Sequence, residues 1–349
     1  MAATLQDLGE FAILDRLLGS SGRELGDDCF HFPIGDTLLA ITADPGPAPL
    51  TRLLGRDWDD MEVWGWYAAL ASASDLATVG ATPLFMTNCV LAPADMPASA
   101  LERYFSGFRR ALEVFGFTHA GGDLNSASSF RSICTAVGSV PAGHSIGRGG
   151  CKPGHRIACV GHCGAFAAAF LDAVRTPRAD LSDDIVEVLT RPSPRMREIR
   201  TLRSVIDISA ASDASDGLLA AISNISRKSN CHFSLTLCKD MITEEVQRAG
   251  RSSAINPWAL FSFWGDWQVV FTFPQHAEEL VVSTARSMEM PLLILGSAVE
   301  GPPGITACVD GATFAIEPLR NEHFSSTSYL FAGVNDVINM MNRTVFIPL

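Results

Sequence analysis

Aspartates recur in this chain in one kind of setting. In GDDCF (Asp27, Asp28), TADPG (Asp44), SASDLATVG (Asp75), HAGGDLNSA (Asp123), SDASDGLLA (Asp213, Asp216) and WGDWQ (Asp266), an acid stands close to Gly, Ser or Thr at the edge of an apolar segment. From such a place a side chain projects off the end of a strand or helix. Carboxylates brought together from scattered points are what a hard divalent cation such as magnesium requires. The competing reading of any single stretch is ordinary turn or capping chemistry, for which Asp is a preferred residue.

The stretches differ in how far each departs from that ordinary reading. Asp75 falls inside a run with helical periodicity, among Ala, Leu, Val and Ser, rather than before it as a cap would. A carboxylate there is costly unless it meets a cation or hydrogen-bond donors. Gly121 and Gly122 end a short strand ahead of Asp123, and glycines in that place let backbone N–H groups approach a phosphate. Asp213 and Asp216 straddle Ser215 ahead of an amphipathic helix. Ser215 or Asp213 is then either a plain helix cap, or part of a site where the helix N-terminus favours phosphate and the acids hold metal.

Common nucleotide and nucleophile signatures are missing. GHCGAFAAAF has the strand, glycine and helix order of a phosphate loop but lacks its Gly-Lys-Ser/Thr ending. No Gly-x-Gly-x-x-Gly turn follows a strand, and the one Gly-x-Ser-x-Gly string, GHSIG at 143–147, leads into a glycine-rich stretch and not a helix, so it is no nucleophile elbow. An ATP-handling role therefore runs through carboxylates and metal. Cys159, His162 and Cys163 lie close together, but Cys159 belongs to an apolar strand and no second ligand pair follows, so zinc is set aside. The nine cysteines read as reduced core thiols.

The 349 residues allow two domains, and 47% hydrophobic with 18% charged residues describe a compact globular chain. A net charge of −12 argues against general nucleic-acid binding. The N-terminal segment lacks the basic and apolar regions of a secretory signal, and no run of about eighteen apolar residues suggests a membrane span. A cytoplasmic location, with neither nucleic acid nor membrane as partner, is the expectation.

The elements that must position these acids alternate. Strand-like runs are TLLAITAD, LFMTNCVLA, RSICTAVGSV, RIACVG, CHFSLTL, WQVVFTF and PLLILGSA; helical periodicity marks residues 60–80, 98–116, 164–174, 216–230 and 276–288. This is an α/β chain of helices layered on sheet. The glycine-rich stretch AGHSIGRGG suggests a boundary near residue 148, giving domains 1–148 and 149–349. Residues 175–195 read as a surface insertion with a helical middle. Trp264 and Trp267 either line a pocket or pack.

With these pieces in order, the chain resembles the thiamine-monophosphate kinase family within the wider aminoimidazole ribonucleotide synthetase-like superfamily. The matching stretches are LGEFAILDRL, GDDCF, TADP, SDLATVGATP, GGDLNS, GRGGCKPGHRIACVGHCG, RPSPR, DASDGLLAAI and WGDWQVVFTF, spread over about three quarters of the chain. The resemblance implies two α/β domains, with the N-terminal sheets forming a homodimer and ATP held near the interface. It implies magnesium ions on Asp28, Asp44, Asp75, Asp123 and Asp213, with an oxygen from Thr42, support from Asp27 and a further metal at Asp216. Tyr104, Gly121, Gly122, Arg148 and Ser215 would contact ATP, and Asp266 would face the acceptor. No residue is assigned as a catalytic base, since transfer to a phosphate monoester is metal-assisted and in line.

The departures lie on the acceptor side. PGPAPLTRLL follows Asp44 where the family has a stretch containing a substrate histidine. In FWGDWQ, Gly265 stands where the family's Gly-Gly-Glu-Asp-Tyr-Glu places a substrate-facing glutamate, and HFSSTSYLFAGVNDV does not clearly carry the family's C-terminal aromatic motif. The expected activity is thus magnesium-dependent phosphoryl transfer from ATP to thiamine phosphate or another small acceptor. Two alternatives are a ligase-like enzyme that activates an amide or carboxyl oxygen and releases phosphate, and a non-catalytic nucleotide-binding dimer.

Overall fold

The computed structural model describes residues 3–18, 26–143, 145–319, 321, 323–324, 333–343 and 345–349. After helix α1 (Leu5–Leu18), the N-terminal part contains β1 (Phe30–Ile34), β2 (Thr37–Pro45), α2 (Met61–Thr78), β3 (Thr82–Ala92), α3 (Ala98–Phe115), β4 (Thr118–Ser126) and β5 (Arg131–Pro141). Its strands form one sheet of order β1-β2-β5-β3-β4. The β3–β4 pair is parallel and joined through α3, while the other neighbours run antiparallel.

The rest of the chain builds an eight-stranded sheet. In sequence order it contains β6 (His155–Val160), α4 (Ala165–Arg175), α5 (Asp183–Thr190), α6 (Met196–Val205), β7 (Ala210–Asp213), α7 (Leu218–Ser229), β8 (His232–Leu237), α8 (Glu244–Ser253), α9 (Pro257–Phe261), β9 (Val269–Pro274), α10 (Glu278–Ser287), β10 (Leu292–Val299), β11 (Gly304–Val309), β12 (Ala312–Ile316), α11 (Val334–Met341) and β13 (Phe346–Pro348). Its strand order is β13-β12-β11-β8-β10-β6-β9-β7.

Helix α2 sits between the two sheets. Its sequence has almost no hydrophobic asymmetry because nearly every residue from Val63 to Thr78 is buried, as expected of a helix covered on all sides. One side meets β2 and β5, another meets β7 and β9. A single core accordingly joins Leu70, Ala73 and Leu76 of α2 to Ala136 of β5, Val269 and Phe271 of β9 and Ile199 of α6. The second core, under α4, α7 and α8, belongs to residues beyond 150 with Trp58 added.

Residues 175–195 are more than a surface insertion. Trp66 Nε1 donates to the Pro192 carbonyl at 3.0 Å, and the Tyr67 hydroxyl donates to the Leu189 carbonyl at 2.9 Å, both within the protein interior. These bonds tie α5 and the following RPSPR turn to the central helix.

Two glycines let α3 lie against α2 backbone to backbone. A Cβ on Gly65 would fall 2.0 Å from the Tyr104 carbonyl oxygen, and one on Gly107 would fall 1.9 Å from that of Glu62. Neither neighbour is a side chain that could swing away. Gly107→Ala is therefore expected to cost about 1–3 kcal/mol by forcing the helices apart. Urea unfolding checks this through a lowered midpoint, and an unchanged midpoint would show that the crossing tolerates a methyl group.

Candidate active site

Three carboxylates from three separate elements converge. Oxygens of Asp28, from the loop before β1, Asp75, from the last turns of α2, and Asp213, at the end of β7, all lie within 4.8 Å of one another. Asp44, at the end of β2, stands beside Asp75 and adds its charge to the group. The Thr42 hydroxyl donates to Asp75 Oδ2 at 2.6 Å, with Asp44 Oδ2 3.5 Å away. Ser74 donates to Asp213 Oδ2 at 3.0 Å. Consecutive helix residues point about 100° apart. Ser74 and Asp75 thereby reach the two sheets that flank α2.

This crowding shows in the acidities. Burial first, then the charges of Asp213, Asp44 and Asp28, hold Asp75 well above the usual carboxylate range. Burial pushes Asp28 up to about 7, opposed by the neighbouring Arg148 guanidinium and aided by Asp213 and Asp27. Asp44 is raised as well, chiefly by burial. Carboxylates that repel one another away from water favour either protons or a bound cation.

The adjacent pair Asp27 and Asp28 divides its work. Asp28 turns into the cluster, its side chain 2% exposed, and pairs with the Arg148 guanidinium. Asp27 Oδ1 accepts the Arg148 backbone N–H at 2.8 Å. A Cβ on Gly147 would meet the Asp27 carboxylate at 2.8 Å, so this position has no room for a side chain. Asp27 thus pins the loop that delivers Arg148.

Other expected site residues stand elsewhere. Asp216 and Ser215 lie in the turn between β7 and α7, where the atoms crowded round the Asp216 carboxyl shut it from water and, with the Asp213 charge, raise it to about 6. Gly121, Gly122 and Asp123 do not end a strand but continue it: β4 runs on to Ser126 as an exposed edge, with Asp123 beside Cys89. Gly122 is required there, since its Cβ would fall 1.9 Å from the Asn88 carbonyl oxygen. Tyr104 is wholly buried, stacked among Phe105, Phe108 and Phe130, and its hydroxyl accepts from Asn88 Nδ2 at 2.8 Å. Its ring therefore faces the core of the N-terminal part.

The acceptor-side residues also differ from expectation. Asp266 turns inward: its two carboxylate oxygens accept the backbone N–H groups of Gly164 and Phe166, each at 2.7 Å, at the N-terminus of α4. It caps that helix from within, because orphan amides at a helix start draw a carboxylate. Gly265, at φ 110°, passes over Phe166, whose ring would lie 2.3 Å from a Cβ at that position. A glutamate there has no space. The segment after Asp44 packs down: a Cβ on Gly46 would fall 2.3 Å from Ser132 Oγ, and Thr51 is fully buried. Trp267 packs edge-on against Tyr67, whereas Trp264 borders a small cavity with Asp216. Cys159 and Cys163 lie in the core with sulfurs 3.9 Å apart. Of the C-terminal stretch HFSSTSYLFAGVNDV, residues 325–332 lie outside the described residues.

Ser74, Gly147 and the inward role of Asp266 escaped sequence reasoning. Ser74 carried a signal in retrospect, as a polar neighbour of Asp75 on a helix otherwise lined with small apolar residues. Among the described residues, no helix is long and apolar enough to cross a membrane.

Comparisons with known proteins agree with this geometry. Residues 26–140 match the family model described as AIR synthase related protein, N-terminal domain. The chain is 27% identical over 308 residues to the thiamine-monophosphate kinase of Escherichia coli strain K12, covering 86% of this chain and 92% of that one. It is 32% identical over 237 residues to that of Methanospirillum hungatei JF-1, covering 68% of this chain and 74% of the relative. Among solved structures, AaThiL complexed with AMPPCP and TMP superimposes with a TM-score of 0.76 at 22% identity, covering 93% of this chain and 99% of the other. Shared sequence over most of each relative's length, on a shared fold, establishes that the chain belongs to the thiamine-monophosphate kinase family and is an ATP-dependent kinase.

Proposed function

We propose that the protein transfers a phosphoryl group from magnesium-bound ATP to a small phosphate monoester, with thiamine phosphate as the reference acceptor. The observation that carries this reading is the convergence of Asp28, Asp75 and Asp213, with Asp44 beside Asp75. The donor set fits magnesium: every atom is a carboxylate oxygen, and the buried charges repel one another unless a cation lies between them. When bound, magnesium neutralises charge on the phosphates and helps align donor with acceptor.

The chain's own residues do the holding and the orienting. Asp28, Asp44, Asp75 and Asp213 would hold metal, with Asp123 and Asp216 as further ligands in the complete site. Thr42 fixes the orientation of Asp75, and Ser74 that of Asp213. Arg148 sets a permanent positive charge against Asp28. Ser215 and the first amides of α7 offer donors to an anionic group beside Asp213. A phosphate monoester is already an anion near neutral pH, so no general base is needed and none is assigned. The AaThiL structure complexed with AMPPCP and TMP supports the pairing of a nucleotide with such an acceptor on this fold.

The working unit in this reading is a homodimer. Strand register places Phe30, Phe32, Phe85 and Ile133 on the sheet face opposite α2, where they are 57%, 50%, 38% and 46% exposed. An apolar face of this kind suits a second copy of the same sheet. Asp123 stands beside Cys89 on that side, next to Ile133 in register, and Gly121 and Gly122 precede it. The two domains meet near residue 148, where Arg148 links the first sheet's loops to Asp28.

Turnover of magnesium-ATP with thiamine phosphate and other small phosphate monoesters tests the reading, following ADP, inorganic phosphate and phosphorylated acceptor together. ADP matched by phosphorylated acceptor supports it. ADP matched by free phosphate would point instead to ligase-like activation, and nucleotide binding without turnover with any acceptor to a non-catalytic dimer.

Asp75→Asn and Asp213→Asn are each expected to reduce turnover by about a thousandfold or more while the thermal transition stays cooperative. Loss of folding in both would assign these acids a structural role. Protons compete with metal at raised carboxyls, so the dissociation constant for magnesium should fall as pH rises from about 6 to about 8. Calorimetric titration across that range measures it, and a flat profile would contradict the crowding of Asp28 and Asp75. Ile133→Asp together with Phe32→Asp should convert the dimer to a monomer in analytical ultracentrifugation. A wild-type monomer at micromolar concentration would dismiss the interface.

A further inference from the structure

Helix α3 stops before Gly116, at φ 86°, and α6 starts after Arg195, at φ 62°. Both residues have left-handed backbone, which turns the chain sharply at each helix end. Between these two ends and the start of β3 runs a groove of about 410 Å³. Pro83, Val114, Phe115, Pro194 and Met196 give it apolar walls. Phe115 and Met196 are buried while Val114 is 64% exposed, so the groove is packed at its base and open to solvent at its rim.

Charge is added by α6. Arg197 and Arg200 stand three residues apart and so share a face of that helix beside the groove. Glu198, between them, pairs with Arg195 at 3.6 Å. Among the described residues, the guanidiniums of Arg197 and Arg200 meet no carboxylate. In a chain with 38 acidic and 26 basic residues, two guanidiniums on one groove are thus left for an anion from outside.

Clefts that hold small organic molecules measure about 300–1,000 Å³ and combine mostly apolar walls with a few polar groups that fix orientation. We propose that this groove is a second ligand site, for a small organic anion: an aromatic or branched aliphatic body against Val114, Phe115 and Met196, with a carboxylate, sulfonate or phosphate group held by Arg197 and Arg200. A guanidinium fork gives such an oxyanion two parallel hydrogen bonds. None of these residues belongs to the carboxylate cluster, and the inference stands apart from the phosphotransfer reading. The groove adjoins the helix that carries Asp75. Arg203, three residues beyond Arg200, donates to the Val79 carbonyl at the end of α2, and a Cβ on Gly80 would lie 2.9 Å from its side chain.

Calorimetric titration of the full-length protein with naphthalene-2-sulfonate, an aromatic anion that is not a phosphate, tests the site. Magnesium and a non-hydrolysable ATP analogue are present throughout, so that the nucleotide site is filled. One probe per chain should bind saturably with a Kd of about 1 mM or lower, as a fragment of that size does in a formed pocket. The neutral naphthalene-2-sulfonamide should bind at least about tenfold more weakly, having lost the charged half of the contact. Arg197→Gln with Arg200→Gln should weaken the sulfonate by about tenfold or more, and Val114→Trp should do so independently by filling the groove. These three side chains are exposed, so melting temperatures should stay within about 2 °C of the wild type.

Absence of saturable binding up to about 10 mM overturns the site. Equal affinity for the neutral probe removes the part given to the two arginines, and with it the anion. Undiminished sulfonate binding in both variants would put the probe elsewhere on the protein, and the inference fails.

Discussion

Repulsion among buried carboxylates governs this molecule. Asp28, Asp75 and Asp213 place their oxygens within 4.8 Å of one another, and Asp44 adds a fourth acid beside Asp75. Like charges at that spacing away from bulk water oppose folding unless protons or a cation relieve them. One arginine, Arg148, faces the group and pairs with Asp28. The remaining negative charge is an energetic debt that a divalent cation cancels, and this makes the arrangement costly as mere structure but useful as a phosphate-binding centre.

Holding such a cluster together falls to α2. The helix is buried on nearly every side, so it cannot turn to carry its acid into solvent. Asp75 meets Thr42 of the first sheet and Ser74 meets Asp213 of the second, so one helical step spans the gap between two sheets. Gly65 and Gly107 bring α3 against the opposite side, and the bonds from Trp66 and Tyr67 to the 189–192 segment tie down its first turns. The rigidity of the helix is what keeps the acids from relaxing apart.

Much of this was legible in the sequence where local pattern and final environment agree. The runs at β2, β3, β5, β6, β8, β9 and β10, and the helices α2, α3, α4, α7 and α10, carried their periodicity openly. The edge strands β1, β7 and β13 and the inner strands β11 and β12 did not, since such strands gain their order from sheet neighbours more than from their own residues. At β4, Gly121 and Gly122 looked like a stop, yet Gly122 is demanded by the closeness of Asn88 within a continuing strand. The acids of the cluster were legible because burying a charge inside a small-residue helix is expensive. The orientations of Tyr104 and Asp266 were not legible because direction is not written in type: one ring turns to the core, and one carboxylate caps a helix from within.

The two sides of the site have been shaped by different constraints. At the carboxylate cluster, geometry tolerates little change, since removing any one acid alters the repulsion among the others. Away from it, Phe166 fills the space over Gly265, Gly46 seats the chain after Asp44 against Ser132, and the Phe263–Trp264 stack borders the cavity beside Asp216. These are packing solutions, each internally consistent and each dependent on a neighbour. Phe166 cannot shift without disturbing the amide that Asp266 holds, and Gly217 locks the Trp264 loop to the turn that bears Asp213. The loop bearing Trp264 and Gly265 is thereby coupled to the carboxylate cluster through backbone contact, so its shape is as rigidly set as the positions of the acids themselves.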